Sequence, residues 1–236
     1  MPAPAVVVAL RDVVKDYKSL RPVRVVDFEL RQGESVALIG FEQVAAEILV
    51  NLITGATLPD SGDVEIFGVS TRNISDPDAW LVEMDRFGIL SPRVVLLDAF
   101  TVEQNLALPF TLEVEQLADN VRADVRALAE EVGIPAALLS QAAAVLDAEM
   151  QLRLRLGKAL ALGPRVLLAE HPNATLDAGA LPRFAADLMR IAAVRQLALL
   201  VMTADSAFAR TVSTRVLTLK PATGELARAP VWRRWL

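Results

Sequence analysis

The sequence predicts an α/β fold built on a largely parallel sheet with helices on both faces. Two observations lead there: strands and helices alternate through the last third of the chain, and the compact apolar run at 35–40 (SVALIG) passes directly into a helical segment. From the N-terminus, residues 6–10 (VVVAL) and 23–30 (VRVVDFEL) read as short strands. Residues 35–40 have the continuous apolar character of a strand buried on both faces, and 44–53 the pattern of the helix that follows it. A turn at 58–62 separates this unit from two further short strands, 63–68 (DVEIFG) and 87–90 (FGIL), the latter stopped by Pro92. Val114, Leu117, Val121, Val125, Leu128 and Val132 then recur at spacings of three and four, with Asp119, Arg122, Asp124 and Glu130 between them. That spacing predicts an amphipathic helix, ended by Gly133 and Pro135. Residues 147–162 predict another helix; 152–156 alternate with period two, but the length of the segment and its Ala-rich end favour helix. Strand 166–171, helix 178–193, strand 197–204, a short helix 206–211 and strand 216–220 complete the order expected of a parallel sheet.

Composition excludes several functions. The chain has 236 residues, 53% of them hydrophobic and 22% charged, which is the opposite of a disordered composition. Against 24 Lys plus Arg stand 29 Asp plus Glu, a net charge of −5, so no global basic field attracts a nucleic-acid backbone. There is no cysteine and one histidine, His171, which removes thiolate chemistry and any multi-histidine metal cage; no metal site is expected. The first residues lack a basic region ahead of a long apolar run and do not read as a secretory signal. The longest apolar stretch, 38–58, contains Glu42, Gln43, Glu47 and Asn51, and each carboxylate at the centre of a bilayer helix would cost on the order of 2.5 kcal/mol or more. A cytoplasmic protein without a membrane span is expected. The tail VWRRWL reads as a surface end packed by one ring rather than a membrane anchor.

The order of segments resembles the ATPase subunit of an ABC transporter over nearly the whole chain. The strongest piece is ALALGPRVLLAEHPNATLD (159–177), similar to that family's Walker B region and D-loop. GESVALIG (33–40) and DAFTVEQNLALPF (98–110) are nearly as close, and the spacing most resembles the lipoprotein-release and cell-division type of exporter ATPase. The resemblance implies an ABC-type P-loop NTPase fold with an antiparallel β-lobe, a mostly parallel core sheet and a helical subdomain. As a single domain it would divide into a β-lobe and P-loop-like core at about 1–90, the helical part at about 91–150, a C-terminal α/β core at about 151–228 and a tail at 229–236.

The residues that carry the family's chemistry are mostly replaced. A P-loop needs glycines so that backbone N–H groups can curl around phosphate, a lysine to offset charge and a hydroxyl for Mg²⁺. Here that place reads GFEQVAAE. Gly40 is kept; Gln43 and Ala45 stand at the later glycines, Ala46 at the lysine and Glu47 at the hydroxyl. Loss of the lysine alone removes about 4 kcal/mol at 4 Å and an effective dielectric near 20, before screening. The loop therefore reads as a self-satisfied turn. The Q-loop glutamine falls near Ser91 or Pro92. The signature becomes Leu146, Asp147, Ala148, Glu149 and Met150, the Walker B aspartate Glu170, the adjacent glutamate His171 and the switch histidine Ala204. Tyr17, at the aromatic that stacks adenine, and Asp177 of the D-loop survive. Each also has a plainer reading: Tyr17 as a surface aromatic, Asp177 as a cap for the helix after it, Glu170 as too weak a cation site alone. His171 would be a base with no positioned phosphate to act on.

These residues predict a pseudo-ATPase with a structural or regulatory role, no confident catalytic residue and no cofactor; ATP and Mg²⁺ enter only under the alternative that the chain still binds or slowly hydrolyses ATP to drive export. A further alternative is a soluble module that pairs with another ATPase. The partners implied by the resemblance are an integral-membrane permease, docked near 92–110 on the inner face of the membrane, and a second ABC ATPase in a homodimer or heterodimer. No nucleic acid is expected.

Overall fold

The computed structural model describes residues 3–18, 20–74 and 76–228. The tail at 229–236 lies outside the described residues. Two sheets face each other. The first is antiparallel, in the order β2 (Val23–Arg31), β1 (Val6–Lys15), β4 (Ser61–Ile66), β5 (Val69–Ser70). The second runs β10 (Glu225–Arg228), β9 (Arg215–Lys220), β3 (Ser35–Ile39), β8 (Ala198–Met202), β7 (Val166–Glu170), β6 (Phe87–Leu90), and is parallel except for the β10 edge.

The apolar runs of the sequence explain the layering. Along β7, Val166 and Leu168 face the cluster shared with the first sheet, while Leu167 and Ala169 face the helical layer. In β8 the same alternation sends Ala198, Leu200 and Met202 one way and Leu199 and Val201 the other. A strand covered on both faces has no polar positions to spare, which is why these runs show no hydrophobic-polar alternation. Helix α1 (Gln43–Ile53) is sandwiched between the sheets through Ala46, Leu49, Val50 and Ile53, each fully buried side chain contributing about 1.5–3 kcal/mol when it is Val, Leu or Ile.

Several boundaries differ from the sequence expectation. β1 continues to Lys15, five residues beyond the apolar run. Two helices are additional: α2 (Pro77–Met84) and α3 (Val102–Ala107), the latter closed by a capping box in which Thr101 and Gln104 satisfy each other's backbone N–H. The amphipathic helix, α4 (Asp119–Glu131), starts five residues later than Val114, because Val114 and Leu117 are buried from an extended approach rather than from a helical turn. It ends as expected: Gly133, at φ 76°, and Ile134 donate to Glu130 and Ala129. Helix α5 (Ala148–Leu160) is a helix despite its local period-two pattern. Helix α6 (Leu181–Val194) begins after a turn at 178–180, and β8 stops at Met202, before Ala204. Helix α7 (Ser206–Thr211) matches its expected bounds.

Candidate functional site

The parallel strands β3, β6, β7 and β8 all end at one edge, and in open α/β sheets ligands bind outside those carboxyl ends. Between β3 and α1 only Gly40, Phe41 and Glu42 intervene. Gly40, at φ 96°, turns the chain where a Cβ would sit 3.2 Å from the Leu219 carbonyl oxygen, and Phe41 is buried in the core beneath. Gln43, Val44 and Ala45 already belong to the helix. The residues at the phosphate-cradling positions thus form the first turn of α1, whose first i→i−4 bond runs from the Ala46 N–H to the Glu42 carbonyl at 2.8 Å. Ala46 is 0% exposed, so the position of the expected lysine presents no charge and no reach.

The next residue of α1, Glu47, meets a residue that sequence reasoning passed over. The Arg93 guanidinium lies 3.1 Å from Glu47 Oε1 and grips both oxygens of Glu170 at the end of β7, Nη2 to Oε1 at 2.6 Å and Nε to Oε2 at 3.1 Å. The Ser91 hydroxyl donates to Glu170 Oε2 at 2.8 Å and accepts from the Arg93 N–H at 3.1 Å. Glu170 is 1% exposed and Arg93 38%. The hydrogen bonds it donates to Glu170 and the charges of Glu170 and Glu47 hold the guanidinium above its ordinary pKa against the desolvation it suffers, so it is a permanent cation. The sequence holds only a partial signal for Arg93, an arginine directly after Ser91 and Pro92 at a strand end; the carboxylates it meets are set by the register of β6 against β7.

The other named residues are distributed around this cluster. His171 adopts φ 44° and donates its backbone N–H to Met202 at 2.8 Å; its buried Nε2 has no hydrogen-bond partner, and the ring lines a cavity of about 110 Å³ with Pro92, Gln151 and Arg155. Ala204 is exposed beyond β8 and carries no functional group. Tyr17 is half-buried and lines a separate cleft of about 360 Å³ with Arg21, Arg24, Gly40, Glu42 and Ala45. In the signature region, Leu146 is buried and Asp147 caps α5 by accepting from the Met150 N–H at 2.8 Å, while Ala148 is exposed. Glu149 turns into the protein: it accepts from Arg153 Nη2 at 2.9 Å and from Arg183 Nη2 at 3.1 Å, and Arg153 reaches Asp187 at 2.8 Å. Asp177 accepts from the N–H groups of Gly179 and Ala180, both at 2.8 Å, so it closes the turn ahead of α6 rather than capping a helix that starts at 178.

These residues do not fit a magnesium triphosphate. A divalent cation needs carboxylate oxygens, and both oxygens of Glu170 are engaged by a guanidinium. A triphosphate needs cations; the Arg93 guanidinium lies between two carboxylates and leaves that cluster net negative, while Arg21 and Arg24 line the Tyr17 cleft instead. Among the described residues no group of three His, Asp or Glu could hold a metal ion, and no helix is long and apolar enough to cross a membrane.

Comparison with known proteins fits this architecture. The methionine import ATP-binding protein MetN of Brucella abortus (strain 2308) is 28% identical over 230 residues, 97% of this chain and 61% of that protein. The phosphonates import ATP-binding protein PhnC of Anaeromyxobacter dehalogenans (strain 2CP-C) is 30% identical over 205 residues, 83% of this chain and 40% of that protein. The chain thus spans less than two thirds of the length of these two relatives. Both are named for import, so the exporter-type spacing gains no support from them. Among solved structures, the dimeric ABC transporter cassette MJ0796 superposes with a TM-score of 0.78 at 23% identity, covering 94% of this chain and 97% of that one. CbiO1 from Clostridium perfringens, part of the ABC transporter complex CbiONQ, superposes with a TM-score of 0.80 at 18% identity, covering 94% and 86%. These two likenesses establish the fold. A family model described as ABC transporter matches residues 23–174, and the chain therefore belongs to the ABC transporter family.

Proposed function

We propose that this chain is a pseudo-ATPase subunit of an ABC transporter, with a structural or regulatory role in place of Mg-ATP hydrolysis. The observation that carries the reading is the engagement of both Glu170 oxygens by Arg93, with Glu47 on the guanidinium's far side. The uncharged, buried Ala46 adds to it, because transferring a phosphoryl group depends on positioned cations. In this reading the chain is one ABC ATPase-like domain, its helical part at about 91–150. It lies on the inner face of the membrane against an integral-membrane permease and pairs with a second ABC subunit, either another copy or an intact ATPase. The reading puts the docking face at about 92–110, where Val95 and Leu97 stand exposed, as does Leu112 just beyond it in sequence. CbiO1 is described as part of a transporter complex and MJ0796 as a dimer, which is the pattern of partners the reading adopts.

A second reading, residual nucleotide binding, draws on one observation: the cleft beside Tyr17 and Gly40 is open even though the phosphate end is filled. The two readings separate in one experiment. The chain is purified alone and reconstituted with its permease, and phosphate release from Mg-ATP is followed. The proposal expects no release attributable to this chain. Turnover that tracks the protein and is lost in Tyr17→Ala would establish the second reading.

A further inference from the structure

The segment that joins β6 to α3 is fixed from three sides by side chains of this chain. At its start, Ser91 and Arg93 are bonded to Glu170, and Arg93 also to Glu47, so the loop is tied to β7 and to α1. Two cations of α5 hold its middle: Arg155 Nε donates to the Val94 carbonyl at 3.0 Å and Lys158 Nζ to the Val95 carbonyl at 2.9 Å. Burial pulls both cations below their ordinary pKa values, so these carbonyls stand in for water they have lost. At its end, the fully buried Asn105 side chain accepts from the Leu97 N–H at 2.9 Å and donates to the Leu97 carbonyl at 3.0 Å. Leu96 is packed in the core between exposed Val95 and Leu97.

Of these tethers, the one at Arg93 reaches carboxylates of both β7 and α1 at the ligand-binding edge of the sheet. We propose that Arg93 is a built-in counter-ion that holds the 91–97 loop, and with it the exposed Val95 and Leu97, in one conformation irrespective of nucleotide. The inference rests on the pseudo-ATPase reading and adds its consequence: the face presented to a membrane partner is constitutively set. A bidentate guanidinium between two carboxylates fixes direction as well as distance, which a lysine ammonium does not.

Hydrogen exchange of the full-length chain tests this, with and without Mg-ATP, in the wild type and in Arg93→Gln and Arg93→Lys. The wild type is expected to exchange its hydrogen-bonded loop amides, at Arg93, Val94 and Leu97, slowly and identically in both conditions. Arg93→Gln is expected to raise exchange there about tenfold, the scale of one lost charge-assisted contact, with β1 unchanged. Arg93→Lys, which keeps the charge and the fold but not the fork, is expected to fall between, and serves alone if Arg93→Gln does not fold. Unchanged exchange at 91–97 in the variants overturns the clamp. Loop exchange in the wild type that responds to Mg-ATP overturns it as well, and a parallel phosphate-release measurement then tells whether the pseudo-ATPase reading has failed with it or stands alone.

Discussion

The phosphate end of the site and the start of the signature helix meet the same problem with opposite geometry. At the first, the carboxylate is buried and its cation half-exposed: Glu170 sits beneath Arg93. At the second, the cation is buried and its carboxylates lie nearer the surface: Arg153 is 5% exposed, Glu149 16% and Asp187 31%. In both places the carboxylates that would repel a triphosphate are neutralised by an arginine of a neighbouring element or turn. What differs is which deletion leaves a charge stranded in the interior, and a buried charge deprived of its partner is the costly outcome.

The largest effect is therefore expected at the signature end. Glu149→Ala combined with Asp187→Ala leaves Arg153 with the Val132 carbonyl at 2.7 Å alone. A guanidinium cannot shed its proton, so the double variant should lose about 3–5 kcal/mol in urea unfolding. A loss below that of a typical surface pair would mean that Arg153 finds water, and the contrast between the two regions would break. Arg93→Ala should cost less, about 2 kcal/mol, because Glu170 keeps the Ser91 hydroxyl and can take up a proton. Equal losses at the two ends would erase the asymmetry.

The smallest effect lies outside both regions, on the exposed ladder of the first sheet. There the hydrogen bond from Arg11 holds the Glu29 carboxyl below its usual 4.5, the Arg11 and Arg31 charges adding to it and burial opposing it. The folded state thus binds fewer protons than the unfolded chain as the pH approaches 4.5 from above. The contribution is complete above that value and fades as the pH falls through the folded pKa. Glu29→Gln should flatten the stability profile below pH 4.5 and cost under about 1 kcal/mol at pH 7, read from urea midpoints across pH. An unchanged acid limb would remove this pair from the account.

Much of the fold was legible because a doubly covered strand leaves a plain mark: the apolar runs at 35–39, 166–170 and 198–202 are strands in place. What was missed is short or irregular. The six-residue α3 has no room for a full apolar period, although its Thr101 and Gln104 spell a capping box; the four-residue β10 is defined by its pairing with β9. At the site, the losses at Ala46, Glu47 and Ala204 could be read residue by residue, since each replacement has its own chemistry. Arg93 could not, because its meaning lies in Glu170, 77 residues away, and in the register that sets β6 beside β7. The network around Glu149 was hidden for the same reason: its partner Arg183, and Asp187, which shares Arg153 with it, belong to a different helix.

The central claim is that the site supplies its own counter-charge and so leaves no place for a magnesium triphosphate. Isothermal titration calorimetry of the full-length chain with Mg-ATP tests it most directly. The account predicts no saturable heat at nucleotide concentrations up to the millimolar range, where binding is worth about 4 kcal/mol. A stoichiometric isotherm at micromolar nucleotide, abolished by replacing Glu170, would contradict it.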